Sequence, residues 1–241
     1  MAEDTLYTTG AVNEDFTFNA KVAEVFDDML DRSIPFYRTV IDATAHILAA
    51  RLPHEATICD LGCSTGTTLL TLSGQLTGRD FRYIGLDNAP AMLAKAREKS
   101  RLAGKEQILH FAEADIVTDA LPAATAFLCN YTLQFLRPML RPAFIGKIYA
   151  ALPPGGLLLL SEKTISPAHR LNRTFIDLYH VFKKEQGYSD LEIAAKREAL
   201  ENVLIPFSLD ENLSLLRSAG FAEVEIYFKW FNFAALVALK H

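Results

Sequence analysis

The fold is decided by the stretch Ala56-Thr-Ile-Cys-Asp-Leu-Gly-Cys-Ser-Thr-Gly66. Residues 56–61 are mostly apolar and predict a buried strand, and the glycines that follow predict a tight turn before a helix. A strand, a glycine-rich turn and a helix form the first half of a nucleotide-binding βαβ unit. Asp60 would then lie at the carboxyl end of the strand, where ligands of open α/β sheets bind. The same pattern also fits a tight turn that binds nothing.

A second unit follows and favours the nucleotide interpretation. Arg82-Tyr-Ile-Gly-Leu-Asp87 is another short apolar run. It ends in an acid about 20 residues after the glycine turn, which is the spacing of a ribose-binding carboxylate. The Asp87 carboxylate could accept hydrogen bonds from both ribose hydroxyls. The alternative is that Asp87 caps a helix that begins near residue 89.

The glycine turn also indicates which nucleotide is bound. Ser64 stands where a Gly-x-Gly-x-x-Gly dinucleotide fingerprint has its second glycine, and no Gly-Lys-Ser/Thr phosphate loop is present. These absences disfavour NAD and nucleoside triphosphates. The form Asp-x-Gly-Cys-x-x-Gly, which contains Gly62 and Cys63, resembles the S-adenosylmethionine loop of class I methyltransferases. We therefore predict S-adenosyl-L-methionine as the ligand of this turn.

Composition and charge narrow the class further. The chain has 241 residues, 50% of them hydrophobic, and a formal net charge of −5, which does not favour direct nucleic-acid binding. No apolar run approaches the roughly 20 residues of a membrane span, and the N-terminal residues lack the features of an export signal. Cys59, Cys63 and Cys129 match neither a disulfide framework nor a metal site. We expect a cytoplasmic protein that holds no metal.

Beyond the glycine turn, predicted strands and helices alternate. The strands fall near 56–61, 82–87, 108–112, 124–130 and 156–161, and the helices near 66–77, 89–103 and 138–151. Such βα repeats form a parallel sheet that is covered on both faces. Residues 224–228 and 231–239 predict a terminal antiparallel hairpin with its turn at 229–230. The predicted fold class is α/β: a Rossmann-like class I methyltransferase fold with a seven-stranded, mostly parallel sheet, an antiparallel last strand and a helical insertion.

We expect one S-adenosylmethionine-binding domain over 1–241 with two helical additions. A cap over 1–55 contains an amphipathic helix near 20–31 and then a second helix, with Ser33 as its predicted cap and Pro35 in its first turn. Residues 164–206 break the βα pattern and predict an inserted helical hairpin, whose second helix would span 191–204. Such an insertion is a common place for a substrate lid or a dimer surface.

Several segments together carry a more specific resemblance. They lie at 22–29, 32–37, 60–64, 85–88, 90–92, 130–136, 160–163, 182–184, 187–189, 196–197, 200–203 and 230–233. The most discriminating are Asn130-Tyr-Thr-Leu-Gln-Phe-Leu136, Gly187-Tyr-Ser189 and the segment from Arg197 to Val203. Over nearly its full length the chain resembles the carboxy-S-adenosyl-L-methionine synthases. It departs from the pattern of that family at 205–212.

The resemblance implies a methyltransferase-like fold that does not transfer the methyl group. In such enzymes the S-methyl group of S-adenosylmethionine loses a proton, and the resulting ylide captures the carbon dioxide that prephenate releases as it becomes phenylpyruvate. The product, carboxy-S-adenosyl-L-methionine, is then used by a tRNA carboxymethyltransferase that modifies wobble uridine to cmo5U34. The chain itself would not need to bind RNA. The resemblance also implies a homodimer.

The resemblance further assigns site residues. Arg197 would hold the new carboxylate of the product, Tyr37 would contact the ligand, and Asn130 would lie at the sulfonium end or at the carboxylate. From the residues alone, Arg197 is equally a solvated arginine on a helix, Tyr37 a core aromatic residue, and Asn130 a cap at the end of a strand. The segment Asp115-Ile116 would contact the adenine, or Asp115 would be a turn acid. Asn88 would help Asp87 to hold the ribose.

The sequence offers no convincing general base. The histidines are scattered, and only His180 lies in the predicted insertion, where a surface or packing role is the alternative. This fits a mechanism in which the hydroxide that leaves prephenate removes the methyl proton. Arg32, Lys163 and Arg173 are candidates for the carboxylate of the prephenate side chain. Two other functions remain open: an ordinary small-molecule methyltransferase on the same fold, and a non-catalytic S-adenosylmethionine-binding module.

Overall fold

A computed structural model describes residues 2–10, 12 and 15–241. Its centre is a seven-stranded sheet in the order β3-β2-β1-β4-β5-β7-β6. The strands are β1 (Glu55–Leu61), β2 (Asp80–Asp87), β3 (Leu109–Glu113), β4 (Ala126–Asn130), β5 (Leu157–Lys163), β6 (Glu223–Trp230) and β7 (Phe233–Leu239). The first five strands pair in parallel, and β7 pairs antiparallel with both β5 and β6. The predicted α/β class and its antiparallel last strand are confirmed.

Eight α-helices surround this sheet within the described residues. They are α1 (Ala20–Ser33), α2 (Tyr37–Arg51), α3 (Thr67–Gln75), α4 (Pro90–Leu102), α5 (Arg141–Ala151), α6 (His169–Glu185), α7 (Asp190–Leu200) and α8 (Leu209–Ser218). Helices α6 and α7 lie between β5 and α8 in the chain, where the sequence predicts an inserted hairpin. Residues 205–212 lead into α8, which begins after a capping box formed by Ser208 and Glu211.

The helices bury both faces of the sheet because neighbouring strand residues point to opposite sides. Cys59 and Phe127 pack on one face with α5 and α8. Ile58 and Leu128, one residue away in each strand, pack on the other face with α2 and α3. The middle of each central strand is therefore apolar on both faces, as expected for a parallel sheet between two helical layers, while polar residues such as Asp60 and Asn130 lie at the carboxyl ends.

Three boundary predictions are wrong. Neither Ser33 nor Pro35 starts the second helix as predicted, because α2 begins at Tyr37 with Phe36 as its cap. Ser33 ends α1, and its hydroxyl accepts a 3.0 Å hydrogen bond from Lys196. The last hairpin turns at 231–232 rather than 229–230, since a register shift between Ile226 and Phe228 carries β6 as far as Trp230. Helix α7 ends at Leu200, and a turn occupies 201–203. Each boundary depends on tertiary contacts or on a bulge, which the apolar periodicity does not report.

No helix among the described residues is long and apolar enough to cross a membrane.

Candidate functional site

One large cavity, of about 720 Å³, lies at the carboxyl ends of the parallel strands. The glycine turn after β1, the ends of β2, β4 and β5, and helices α1, α6 and α7 all contribute to its walls. The N-terminal arm also reaches it, because Phe16 and Phe18 line the cavity and Phe18 packs 5.4 Å from the ring of Phe135. Its size and its place in the sheet are those of a small-molecule site.

Most of the predicted site residues lie together in this cavity. Those that line it are Tyr37, Asp60, Gly62, Cys63, Ser64, Asp87, Asn88, Asp115, Ile116 and Asn130. Arg197 does not line it: its side chain is exposed on α7. Ten of the eleven predicted site residues therefore line the same cavity. The roles assigned to them remain predictions.

The glycine turn is held tightly against the sheet. The backbone N–H groups of Gly62 and Cys63 both donate to the carbonyl of Leu86, at 2.8 and 3.0 Å. Gly62 has φ +76°, and a Cβ added there would lie 2.6 Å from the side chain of Thr132. Ser64 also adopts a positive φ, of 49°, which costs a non-glycine residue free energy. Backbone strain of this kind is concentrated at ligand-binding turns.

Asp87 connects the glycine turn to the segment that leads into α4. Its Oδ2 accepts a 2.8 Å hydrogen bond from the N–H of Ser64, and its Oδ1 accepts one of 2.9 Å from Ala89. The carboxylate thus ties the glycine turn to the residue that precedes α4. Asp87 is not the cap of α4, because Ala89 occupies the N-cap position and no side chain among the described residues caps that helix. Asp87 also lines the cavity, so its bonds to Ser64 and Ala89 leave room for ligand binding.

Asp60 is the most buried acid beside the turn, with 2% of its surface exposed. Burial, together with the nearby charge of Asp87, raises the pKa of Asp60 to about 7. A cationic ligand would favour the ionised carboxylates of both acids. The thiol of Cys63 is also buried, which raises its pKa well above the usual value, so it is not an activated nucleophile.

A polar network that the sequence analysis missed holds the end of the glycine turn and the start of α3. The Asp27 carboxylate on α1 accepts hydrogen bonds from the hydroxyls of Thr65 and Thr67, at 2.5 and 2.6 Å. Lys99 on α4 forms an ion pair with Asp27 at 2.5 Å. Only the matching segment 22–29 pointed to Asp27. The network joins α1 to the start of α3 and so fixes one edge of the cavity.

Asn130 ends β4 and contributes a buried polar atom to the site. Its Oδ1 has no hydrogen-bond partner among the described residues, although buried amide oxygens are normally paired. The next residue, Tyr131, has φ +57°, and its ring lies 6.4 Å from that of Tyr37. Tyr37 is itself buried, with its hydroxyl 3.5 Å from Thr68. The unpaired Oδ1 of Asn130 can therefore accept a hydrogen bond from a ligand in the cavity.

Asp115 and Ile116 follow β3 and lie at the rim. Asp115 is exposed, and its Oδ1 accepts a 2.8 Å hydrogen bond from the N–H of Val117, which lowers its pKa. Asp115 therefore stabilises a turn through this hydrogen bond, as the alternative prediction for this residue has it. Ile116 is buried, with 9% of its surface exposed, and offers an apolar face to the cavity. This pair can contact an adenine through one polar and one apolar side chain.

The part of the cavity wall formed by β5, α6 and α7 contains three lysines, two of which the sequence analysis missed. Lys163 at the end of β5, Lys183 on α6 and Lys196 on α7 all line the cavity. Of these, only Lys163 was a sequence candidate. Arg32 and Arg173, the other two candidates, do not line the cavity: Arg32 pairs with Asp28 and Arg173 with Asp177.

His180 also lies outside the residues that line the cavity. Burial and the neighbouring cations Lys183, Arg197 and Lys163 lower its pKa. It is therefore neutral near pH 7, and its position does not support a role as a general base.

Within the described residues, no group of three or more His, Cys, Asp or Glu side chains could hold a metal ion. The donor set of the cavity suits an organic cation instead. Two carboxylates, an unpaired amide oxygen and a turn that a Cβ would obstruct fit S-adenosyl-L-methionine.

Comparison with known proteins identifies the family. Residues 58–156 match the family model of a methyltransferase domain. The carboxy-S-adenosyl-L-methionine synthase of Desulfotalea psychrophila is 54% identical over 238 residues, which cover 99% of this chain and 97% of that protein. This chain belongs to the carboxy-S-adenosyl-L-methionine synthase family. The synthase of Helicobacter pylori (strain Shi470) is 45% identical over 242 residues, 99% of each chain.

Solved structures agree on the fold of this synthase family member. Human N-acetylserotonin methyltransferase, solved in complex with S-adenosylmethionine, superposes with a TM-score of 0.64 at 17% identity, over 92% of this chain and 55% of that one. An O-methyltransferase family protein from Burkholderia thailandensis gives a TM-score of 0.66 at 18% identity, over 98% of this chain and 67% of that one. At these identities the likeness concerns the fold alone.

Proposed function

We propose that this protein converts S-adenosyl-L-methionine and prephenate to carboxy-S-adenosyl-L-methionine and phenylpyruvate. One observation carries the proposal: a single cavity joins the carboxylates beside the glycine turn to a wall that contains Lys163, Lys183 and Lys196. Strand β4 lies between β1, which ends near Asp60, and β5, which ends at Lys163. A cationic ligand and an anionic one can therefore lie side by side, which a reaction between a sulfonium and a dicarboxylate requires.

The reaction balances without a further reagent. In prephenate the bond between the ring and its carboxylate breaks, the ring becomes aromatic, and the ring hydroxyl leaves as hydroxide. The hydroxide takes a proton from the S-methyl group and becomes water. The methyl carbon, now carrying an electron pair, forms a bond to the released carbon dioxide. The protein holds both substrates together and excludes bulk water, so the carbon dioxide is captured before it diffuses away.

Three side chains receive roles in this proposal. Asn130 offers its unpaired Oδ1 to the ligand beside the reacting methyl group. Tyr37 closes the adjoining wall with a buried ring. Arg197 binds the new carboxylate bidentately, as a guanidinium can. Because Arg197 is exposed and does not line the cavity of its own chain, this last role requires that α7 shifts on binding or that the arginine enters the cavity of a second copy.

A homodimer is part of the proposal. Helix α6 exposes Leu171, Leu178 and Val181, and Phe36 and Phe231 are also exposed, although large apolar side chains usually pack. An apolar face of this kind on the inserted hairpin supports self-association. Light scattering at micromolar concentration should give the mass of a dimer, and a monomeric mass would reject this part of the proposal.

The remaining elements of the proposal concern organisation and partners. We take 1–241 as one domain in which 1–55 forms a cap and 164–206 a lid over the cavity. The product passes to a tRNA carboxymethyltransferase, and this chain does not itself bind nucleic acid, in keeping with its net charge of −5. We place the protein in the cytoplasm.

Mass spectrometry of the ligand released from the purified protein tests the function. With prephenate added, we expect a species heavier than S-adenosylmethionine by one carbon dioxide, together with phenylpyruvate in the solution. S-adenosylhomocysteine, the demethylated product, together with a methylated acceptor would instead indicate a conventional methyltransferase. Unmodified S-adenosylmethionine with prephenate intact would indicate a module that only binds the nucleotide.

A further inference from the structure

Two lysines that line the cavity, the buried Lys183 and the half-buried Lys163, have no ion-pair partner in the described part of the chain. Lys183 has 5% of its surface exposed, and no carboxylate or hydrogen-bond acceptor within the described residues contacts its ammonium group. Lys163 likewise has no acceptor in the described part of the chain. Lys196 differs, because its Nζ lies 3.4 Å from Asp4 and donates to Ser33.

The two ammonium groups both lie close to one aromatic ring. The Nζ of Lys163 lies 4.9 Å from the centroid of the Tyr179 ring, and that of Lys183 lies 5.6 Å from the same centroid. Tyr179 also lines the cavity, and its hydroxyl donates a 2.9 Å hydrogen bond to the carbonyl of Ser33. The ring is thus fixed, and it lies near both cations; Lys183 also lies 5.2 Å from the centroid of the Tyr188 ring.

Charge balance around this part of the wall favours an anionic ligand. The Asp4 carboxylate acts on Lys183 and on Lys196, and Glu192 is the other acid that acts on Lys183, whereas no acid within the described residues acts on Lys163. Burial and the charges of Lys196 and Lys163 lower the pKa of Lys183 to about 7, and burial lowers that of Lys163 to about 8. An unpaired buried cation is costly, and a carboxylate placed between the two lysines would remove that cost.

The chemistry of the proposed reaction decides which carboxylate this is. Prephenate has one carboxylate that leaves as carbon dioxide and one on its 2-oxo-acid side chain, which persists in phenylpyruvate. An ion pair that stabilises the leaving carboxylate would oppose decarboxylation, because it would favour the ground state. Cations that hold the persistent carboxylate bind substrate and product without opposing the reaction.

We propose that Lys163 and Lys183 form the subsite for the 2-oxo-acid side chain of the substrate, with Tyr179 as its floor. This inference rests on the proposed function. Lys196 is a positioning residue: paired with Asp4, it holds α7 against α1 and adds to the positive field. In this proposal the departing carboxylate lies beside the S-methyl group and does not contact the two lysines.

Steady-state kinetics of Lys183→Met and Lys163→Met test the subsite. We expect the KM for prephenate to rise roughly 10- to 100-fold in each variant, the effect of one charge-assisted hydrogen bond, while kcat changes much less. Inhibition by added phenylpyruvate should weaken by the same factor. The matched control is Lys184→Met, which replaces an exposed lysine on the same helix that pairs with Asp190 and should leave all constants unchanged.

Three outcomes would overturn the subsite. The KM for prephenate could stay unchanged in folded variants; the affinity for S-adenosylmethionine, measured by calorimetry, could fall by the same factor, which would assign the lysines to that ligand; or kcat alone could fall. If Lys183→Met does not fold, Lys183→Arg, which keeps the charge, should fold and retain phenylpyruvate binding. A wild-type protein that binds phenylpyruvate but does not convert prephenate would contradict the proposed function and leave the subsite standing.

Discussion

The Oδ2 atom of Asp87 accepts a 2.8 Å hydrogen bond from the backbone N–H of Ser64, a residue with φ +49°. The acid at the end of β2 therefore holds the turn at the end of β1 in a conformation that a serine does not favour. The pair joins the two halves of the nucleotide site before any ligand binds. Preorganisation of this kind reduces what the ligand must order on binding.

Asp87→Asn should weaken S-adenosylmethionine binding roughly 10- to 100-fold, because the amide replaces one charged acceptor by a donor. Isothermal titration calorimetry measures this directly. Asp80→Asn, at the exposed start of the same strand, is the matched control and should bind normally. Equal affinity in the two variants would mean that Asp87 acts only as a structural link between the turn and α4.

Gly62→Ala should lower the free energy of unfolding by about 2–4 kcal/mol, from left-handed backbone strain together with a Cβ placed 2.6 Å from Thr132. Gly78→Ala provides the control, because Gly78 has a similar φ of +80° but nothing within 4 Å of an added Cβ. It should cost only about 1–2 kcal/mol. Urea unfolding compares the variants, and equal losses would show that the turn is not crowded by Thr132.

Asp60 should make the stability of the ligand-free protein depend on pH. Since burial and Asp87 raise its pKa from 3.8 to about 7, the folded state binds more protons than the unfolded state between about pH 4 and pH 7. The Asp60 contribution to stability therefore falls as the pH rises through this window. Asp60→Asn should show a smaller decline in urea midpoint from pH 5 to pH 8.

The same titration should affect ligand binding in the opposite sense. The affinity of the wild-type protein for the cationic S-adenosylmethionine should increase as Asp60 ionises near pH 7, and Asp60→Asn should lack this increase. A pH-independent affinity in the wild type would contradict a contact between Asp60 and the ligand.

Asn130→Ala should separate a binding role from a capping role. Because its Oδ1 is buried without a partner in the described chain, removal should leave the free energy of unfolding unchanged within about 1 kcal/mol. Binding of S-adenosylmethionine should weaken by about tenfold or more. Thermal unfolding and calorimetry give the two values. A large loss of stability with normal binding would favour the strand-end cap.

The parts of the site that the sequence predicts are local. Asp60, Gly62 and Asp87 lie where a buried strand meets a turn, so apolar periodicity and two glycines are enough to place them at one edge of a parallel sheet. The parallel direction of the first five strands follows from the same βα repeats. This much of the fold depends on residues that are close in the chain.

The three lysines that line the cavity, Lys163, Lys183 and Lys196, could not be brought together in this way. The apolar periodicity of α6 predicts that Lys183 lies on the solvated face of that helix. In the structure Lys183 is instead its one buried residue. Its burial depends on how α6 and α7 pack against α1, as does the contact of Ser33 with Lys196. The exposure of Arg197, one residue after the buried Lys196, follows from the same packing.

The most direct test of the account uses prephenate labelled with ¹³C in its ring carboxylate. After incubation with the protein and S-adenosylmethionine, the account predicts that the carboxylated product contains the label and that phenylpyruvate is unlabelled and formed in equal amount. Unlabelled product in the presence of ordinary bicarbonate would show that the carboxyl group comes from solution. The absence of any carboxylated product, with S-adenosylmethionine bound and unchanged, would contradict the central claim.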